Sequence, residues 1–383
     1  MEGAMARYRA GAIGRTGRGN WGHGLDMAFV GAPEVEFVAV ADDDPDGLRD
    51  AGERTGAGSL YGDYREMLER ERLDFVAVCP RWVGARTEMV KAATDARVKG
   101  IFCEKPFAAT LAEADAMLEA CERSGTRVAV AHRRANPYEQ QAKTMVEEGA
   151  IGELQSLRAM GKCDHRSGAE DLMVLGTHMM DSMRYVAGSD VVWASGRVTQ
   201  DGRDVTADDV REGPEEIGLI AGNGVHAAYA FENGVTATFE SQPVVMPPGG
   251  SSSLFGFEAY GSEGILSVRN SPSGNMFVYP HSRWIPGSED EWRPVVIEEW
   301  EREQRERGVS STALSNKIIV SELIQAVEED RDVVLSSSGK DGRAALEMIM
   351  AVHESHRLGE RVYFPMENRE NPYEVWRGEE SRK

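Results

Sequence analysis

The tripeptide Glu104-Lys105-Pro106 directly follows a short apolar run at residues 100–103, which ends in Cys103. Strand ends at the carboxyl edge of an open α/β sheet are where ligands bind. A lysine there, beside a glutamate and on a proline-stiffened turn, is well placed for chemistry. Its ammonium can hydrogen-bond a hydroxyl or carbonyl and steady the negative oxygen that forms as hydride leaves carbon. Partly desolvated, it can also act as a base. Glu-Lys pairs are common on surfaces, so the strand end gives this one its weight.

A second candidate, Gly14-Arg15-Thr16-Gly17-Arg18-Gly19, follows the apolar run 8–13. Glycines there let the backbone turn tightly and approach a pyrophosphate, and a helix starting after them would offer free N–H groups and a positive dipole end. The spacing is G-x-x-G-x-G rather than G-x-G-x-x-G, with Thr16 where the middle glycine usually stands. The next apolar run, 35–41 (VEFVAVA), ends at Asp42. An acidic side chain there accepts hydrogen bonds from the adenosine ribose and repels a 2′-phosphate. Asp42 and Asp43 thus favour NAD over NADP. Arg15 and Arg18 pull the other way, because guanidinium pairs with phosphate.

Further apolar runs at 75–79, 101–103 and 128–131 and a helical pattern over 111–124, stopped by Gly125, must position these groups. Near-continuous apolar strands alternating with helices indicate a parallel sheet covered on both faces. This predicts an α/β N-terminal Rossmann domain over residues 1–134. After Asn136-Pro137 the rhythm changes. A helix is expected over 138–148, then strands at 154–160, 191–199, 225–231, 235–240, 254–259 and 265–269. Two strand pairs carry hairpin signals, Glu232-Asn233-Gly234 and Gly261-Ser262-Glu263-Gly264. Helices are expected over 315–329 and 342–358, while 242–253 and 270–294 read as irregular. The second part, 135–383, is therefore expected to be an α+β domain built around one large, mostly antiparallel sheet.

The 383 residues carry 43 basic and 64 acidic side chains, a formal charge of −21. Such a surface repels phosphate backbones and anionic lipid, which argues against nucleic acid or membrane partners. No run of 18 apolar residues exists, and the first residues lack the apolar core of a secretion signal. Cys79, Cys103, Cys121 and Cys163 form no C-x-x-C pair and read as reduced thiols, so a cytoplasmic protein is expected.

Five motifs in order carry a resemblance. They are Val38-Ala39-Val40-Ala41-Asp42, Glu104-Lys105-Pro106, Glu148-Gly149-Ala150-Ile151-Gly152-Glu153-Leu154, Gly176-Thr177-His178-Met179-Met180-Asp181, and the tail Val362-Tyr363-Phe364-Pro365. Together they resemble the glucose–fructose oxidoreductase, inositol dehydrogenase and rhizopine-catabolism (Gfo/Idh/MocA) family. That resemblance implies an NAD(P)-dependent dehydrogenase moving hydride between nicotinamide and a secondary hydroxyl or ketone of a sugar, sugar acid or cyclitol. It implies Lys105 as the catalytic lysine, Glu104 as its partner and His178 as the group trading a proton with the substrate hydroxyl. It also implies a homodimer or homotetramer built through the open sheet. The residues agree: a helix over 177–187, closed by Gly188, puts His178, Asp181 and Tyr185 along one face, where Asp181 can orient the imidazole.

Two departures stand out. The family often carries an aspartate four residues before this histidine, where this chain has Val174, with Glu170 and Asp171 nearby. It also often carries a histidine after the third apolar strand, where this chain has Pro80-Arg81-Trp82 and then Arg86. Pro80, Arg81, Trp82 and His132 are expected beside the cofactor, and Arg134, Asp164 and His165 beside the substrate. Arg133, Asn136, Lys162 and Arg166 are further polar groups that could line the cleft. A metal held by Asp164, His165, His178 and Asp181 is a weaker reading, since no tight ligand motif exists. Two rival functions remain: a glycoside hydrolase that retains NAD and works by transient oxidation and elimination, and a non-catalytic NAD(H)-binding sensor.

Overall fold

The computed structural model describes residues 7–244, 255–269, 275–282 and 290–380. The chain divides into two compact units. The first holds residues 7–135, 215–217 and 304–343, and the second holds 136–214, the described parts of 218–303, and 344–380.

In the first unit, strands β1 (Tyr8–Ile13), β2 (Val35–Ala41), β3 (Ser59–Tyr61), β4 (Phe75–Val78), β5 (Gly100–Cys103) and β6 (Arg127–Val130) form one sheet. Its parallel strands run in the order β3-β2-β1-β4-β5-β6, the doubly wound arrangement whose direction of winding reverses between β1 and β4. β4 and β5 are buried at every position because helices cover both faces, which explains their unbroken apolar sequence. Helices α1 (Pro45–Thr55), α2 (Tyr64–Glu71), α3 (Arg86–Asp95) and α4 (Leu111–Ser124) connect the strands. Asp44, Asp63 and Thr110 cap α1, α2 and α4 by accepting backbone N–H groups, and Gly56 and Gly125 close α1 and α4 in the left-handed conformation.

The core of this unit also takes residues far away in sequence. Ile319, Val320, Leu323 and Ile324 of the helix Ser311–Glu328 are buried with Phe75, Ala77 and Phe102. Gly100 has no room for a side chain because Phe75 and Leu323 lie against it. The short strand Ser337–Ser338 adds an antiparallel edge to β6.

No α-helix follows the first glycine turn. Only the 3-10 turn Leu25–Met27 lies between β1 and β2. Positive φ at Gly17, Gly19, Asn20, Gly22 and Gly24 breaks the helical path, so the expected helix N-terminus at the pyrophosphate is absent there.

The second unit is built on one large sheet. Its main path runs Arg293–Pro294, Met276–Tyr279, Ile265–Arg269, Gly256–Gly261, β7 (Leu154–Met160), Thr236–Ser241, Gly224–Phe231, β8 (Val191–Gln200) and Val362–Tyr363. All neighbours are antiparallel except β7 and Thr236–Ser241, so the sheet is mixed at one step. Both hairpin signals join antiparallel neighbours. Strand Met276–Tyr279 falls inside the stretch expected to be irregular; its residues pair with Ile265–Arg269, a gain invisible to local sequence. Leu254 of the expected strand 254–259, and most of 242–253, lie outside the described residues.

Helices α5 (Pro137–Glu147), α6 (Ala169–Val174) and α7 (Gly176–Ala187) also belong to this unit. α7 lies on β7 and Gly256–Gly261. Ser182 Oγ donates to Glu139 Oε2 (2.6 Å) and Tyr185 O–H to Gln140 Oε1 (2.7 Å), tying α7 to α5. Charged pairs such as Arg158–Glu240 and Arg269–Glu258 sit on strands of the sheet. Among the described residues, no helix is long and apolar enough to cross a membrane. All four cysteines are free and buried.

Candidate active site and the family it defines

The ends of β1, β4, β5 and β6 carry Gly14, Cys79-Pro80, Glu104-Lys105 and Ala131-His132, all at the carboxyl edge of the first sheet. The glycine turn is held from two sides. A Cβ at Gly14 would come within 2.5 Å of the Trp21 ring, and one at Gly19 within 2.3 Å of the Arg81 backbone nitrogen. Gly17, at φ +79°, faces open space, so its backbone is free for close approach by a ligand.

Thr16, the substitute for the usual middle glycine, is built into the turn. Its N–H and Oγ1 both donate to the Asp42 carboxylate, the hydroxyl at 2.7 Å to Oδ2. Asp44 N–H adds a further bond at 3.0 Å. The Thr16 hydroxyl fits because residue 47 is glycine: a Cβ there would meet Thr16 Oγ1 at 1.9 Å. Asp42 is 2% exposed, and it lines a cleft of about 500 Å³ with Gly14, Arg15, Asp43, Tyr64 and Gly84. A cleft bounded by the glycine turn and a carboxylate at the end of β2 fits an adenosine ribose and its phosphates.

Glu104 is fully buried and Lys105 is 6% exposed. Lys105 N–H donates to Glu104 Oε1 (2.9 Å), while His23 gives Oε2 both its backbone N–H (3.0 Å) and Nδ1 (2.9 Å). Burial pushes this carboxyl upward, but His23 and Lys105 outweigh it and hold the pKa at about 2. Glu104 is therefore an anion next to the Lys105 ammonium, and the Lys105-Pro106 peptide is cis. Sequence reasoning missed His23, since nothing local marks a histidine 81 positions away as the partner of Glu104.

Arg86 stands where the family often has a histidine, and it is 1% exposed. Its guanidinium donates to the carbonyls of Pro80, Arg81 and Pro106, locking the turn after β4 to the turn after β5. Trp82 is half-buried and His132 is buried. Arg134, expected beside the substrate, is buried and paired with Asp341 at 3.2 Å.

In the second unit, α7 carries His178 (9% exposed) and Asp181 (1% exposed). The His178 ring meets Phe255 edge-on, with centroids 6.2 Å apart. Asp171, the neighbour of the missing aspartate, is buried. It accepts from Lys162 N–H, Cys163 N–H and Ser241 Oγ, so it fastens the loop after β7. Burial raises its pKa. Asp164 is held by a two-pronged bond from Arg166, which keeps its carboxyl well below the ordinary range, and His165 is exposed. Among the described residues, no three His, Cys, Asp or Glu side chains converge to hold a metal ion.

A doubly wound sheet with its glycine turn, an acidic strand-two end and Glu-Lys-Pro after strand five defines a dinucleotide-binding oxidoreductase fold. The chain belongs to the Gfo/Idh/MocA family. Residues 9–132 match the model of the oxidoreductase family NAD-binding Rossmann fold, and residues 140–267 match that of the GFO/IDH/MocA C-terminal domain. D-apiose dehydrogenase of Paraburkholderia graminis is 42% identical over 119 residues, 31% of this chain and 31% of that protein. Myo-inositol 2-dehydrogenase of Thermotoga maritima is 29% identical over 201 residues, 49% of this chain and 59% of that protein. The matches thus span about a third to three-fifths of those relatives' lengths. The crystal structure of an NAD-binding oxidoreductase from Klebsiella pneumoniae superimposes with a TM-score of 0.72 at 21% identity, covering 94% of this chain and 99% of that one.

Proposed function

We propose that this protein is an NAD-dependent dehydrogenase that interconverts a secondary hydroxyl and a ketone on a sugar, sugar acid or cyclitol. The carrying observation is the buried Glu104–Lys105 pair at the carboxyl end of β5, on the sheet edge that also bears the glycine turn. The relatives named for apiose and inositol support the substrate class.

When bound, the dinucleotide supplies a hydride acceptor or donor. In this reading residues Gly14 to Gly19 take the pyrophosphate, Asp42 the adenosine ribose, and Pro80, Arg81 and Trp82 border the cofactor. Lys105 hydrogen-bonds the substrate oxygen and steadies its negative charge as the C–H bond breaks. The Glu104 anion lies beside that ammonium, fixed by His23 and by the Lys105 backbone N–H. His178 exchanges the hydroxyl proton, with Asp181 on the same helix as its orienting group. The acidic surface and the reduced thiols support a cytoplasmic location, and the open sheet of the second unit supports a homo-oligomer.

The test is absorbance of NADH on mixing protein, NAD⁺ and a panel of aldoses, aldonates and inositols. At least one polyol should give turnover, and Lys105→Ala should lower kcat by about 10²–10⁴-fold while NAD⁺ affinity holds. Retained cofactor with glycoside cleavage and no net NADH would instead favour the oxidation–elimination hydrolase. Tight NAD(H) binding with no turnover on the panel would favour the sensor.

A further inference from the structure

Residues Glu215, Glu216 and Ile217 belong to the first unit although they are distant in sequence from its sheet. Glu215 and Glu216 both adopt φ of +57°, a left-handed conformation that side-chain-bearing residues seldom take. Two consecutive residues held this way point to a segment kept in place for a purpose. Val83 N–H donates to the Glu215 carbonyl at 3.0 Å, and Glu215 pairs with Arg81 at 3.6 Å. Glu216 lies 3.8 Å from both Arg15 and Arg18. Gly84 makes the space, since a Cβ there would meet Glu216 Oε2 at 2.5 Å.

Arg15 and Gly84 line the same cleft as Asp42 and Asp43. Arg15 and Arg18 are the features of the glycine turn that would welcome a 2′-phosphate, because guanidinium binds phosphate oxygens in pairs. A carboxylate already set between them offsets their charge. A 2′-phosphate entering beside them must either displace that carboxylate or lie against it. A free 2′-hydroxyl meets no such opposition.

We propose that Glu216 is a second cofactor-selectivity residue, acting with Asp42 to exclude the 2′-phosphate of NADP by neutralising Arg15 and Arg18. This rests on the reading of the glycine turn as a dinucleotide site. It explains how a turn with two arginines belongs to a protein selective for NAD.

The experiment compares binding of 5′-AMP and 2′,5′-ADP by calorimetry to the full-length protein and to Glu216→Gly, which suits the backbone, and Glu216→Gln, which keeps the side-chain volume. Both variants should bind 2′,5′-ADP about tenfold more tightly and 5′-AMP within about twofold of wild type, the gain a released pair of guanidinium groups offers a phosphate. Adding Arg15→Gln and Arg18→Gln to either variant should erase the gain. Equal tightening of both nucleotides, or no change in either, would overturn the role of Glu216. A wild-type protein that binds neither 5′-AMP nor NAD⁺ would instead overturn the dinucleotide site on which the proposal rests.

Discussion

Replacing Glu104 with glutamine exchanges one oxygen for an amide nitrogen and removes one negative charge from a fully buried position. In the folded protein this carboxyl titrates at about 2, against 4.5 for an ordinary glutamate. A group whose pKa is depressed by folding stabilises the native state above its unfolded pKa, and that stabilisation is lost as pH falls through the folded value. The depression corresponds to roughly 3 kcal/mol at pH 7, of which roughly 1 kcal/mol is left at pH 3. The introduced amide would also turn its N–H₂ toward one of the existing donors, His23 or the Lys105 N–H, leaving a buried mismatch at every pH. Urea unfolding followed by circular dichroism at pH 7 and pH 3 separates the two contributions. The gap between wild type and Glu104→Gln should narrow by roughly 2 kcal/mol on acidification. A gap of equal size at both pH values would refute the claim that Glu104 is an anion held by His23 and Lys105, and would leave only a packing role for it.

Three further outcomes follow from the same geometry. Gly47→Ala drives a methyl into Thr16 Oγ1 and should weaken NAD⁺ binding several-fold; a Thr16→Gly background should remove that penalty, and equal losses in both backgrounds would reject the coupling. Asp42→Ala should let NADP⁺ use rise in steady-state kinetics, and it should lower the melting temperature as well, because Thr16 and Asp44 lose their acceptor. His178→Ala should lower kcat by about 10²–10⁴-fold with NAD⁺ affinity retained, and an unchanged kcat would remove His178 from the chemistry.

Five of the six parallel strands of the first sheet were legible because they are largely buried and so are written as apolar runs, whereas the short edge strand β3, with Leu60 exposed, carries no such run. The second sheet was legible through alternation and its two hairpin turns. Strand Met276–Tyr279 was not, because its partner rather than its own sequence defines it. The helix expected after the glycine turn was read from the general pattern of such folds, and the left-handed residues from Gly17 to Gly24 prevented it. The candidates Lys105, Asp42 and the glycines stood out by their place at strand ends, where the structure puts them. The contact of His23 with Glu104, the pairing of Glu216 with Arg15 and Arg18, and the Arg86 clamp could not be read in the sequence, since each joins residues remote in it. Arg134 was singled out by its type and position, and its ion pair with Asp341, remote in sequence, could not be read there.

The first unit is assembled from three separated stretches of chain, and this sets the timing of its birth. When the ribosome has made residue 135, all six parallel strands exist, yet the apolar ridge of Ser311–Glu328 that seals Phe75 and Phe102 has not been synthesised. The nascent sheet must wait, greasy on one side, through the making of almost the whole second unit. A fragment ending at residue 135 would keep that exposed flank permanently, so it should recruit chaperones or clump rather than serve as a miniature nucleotide binder.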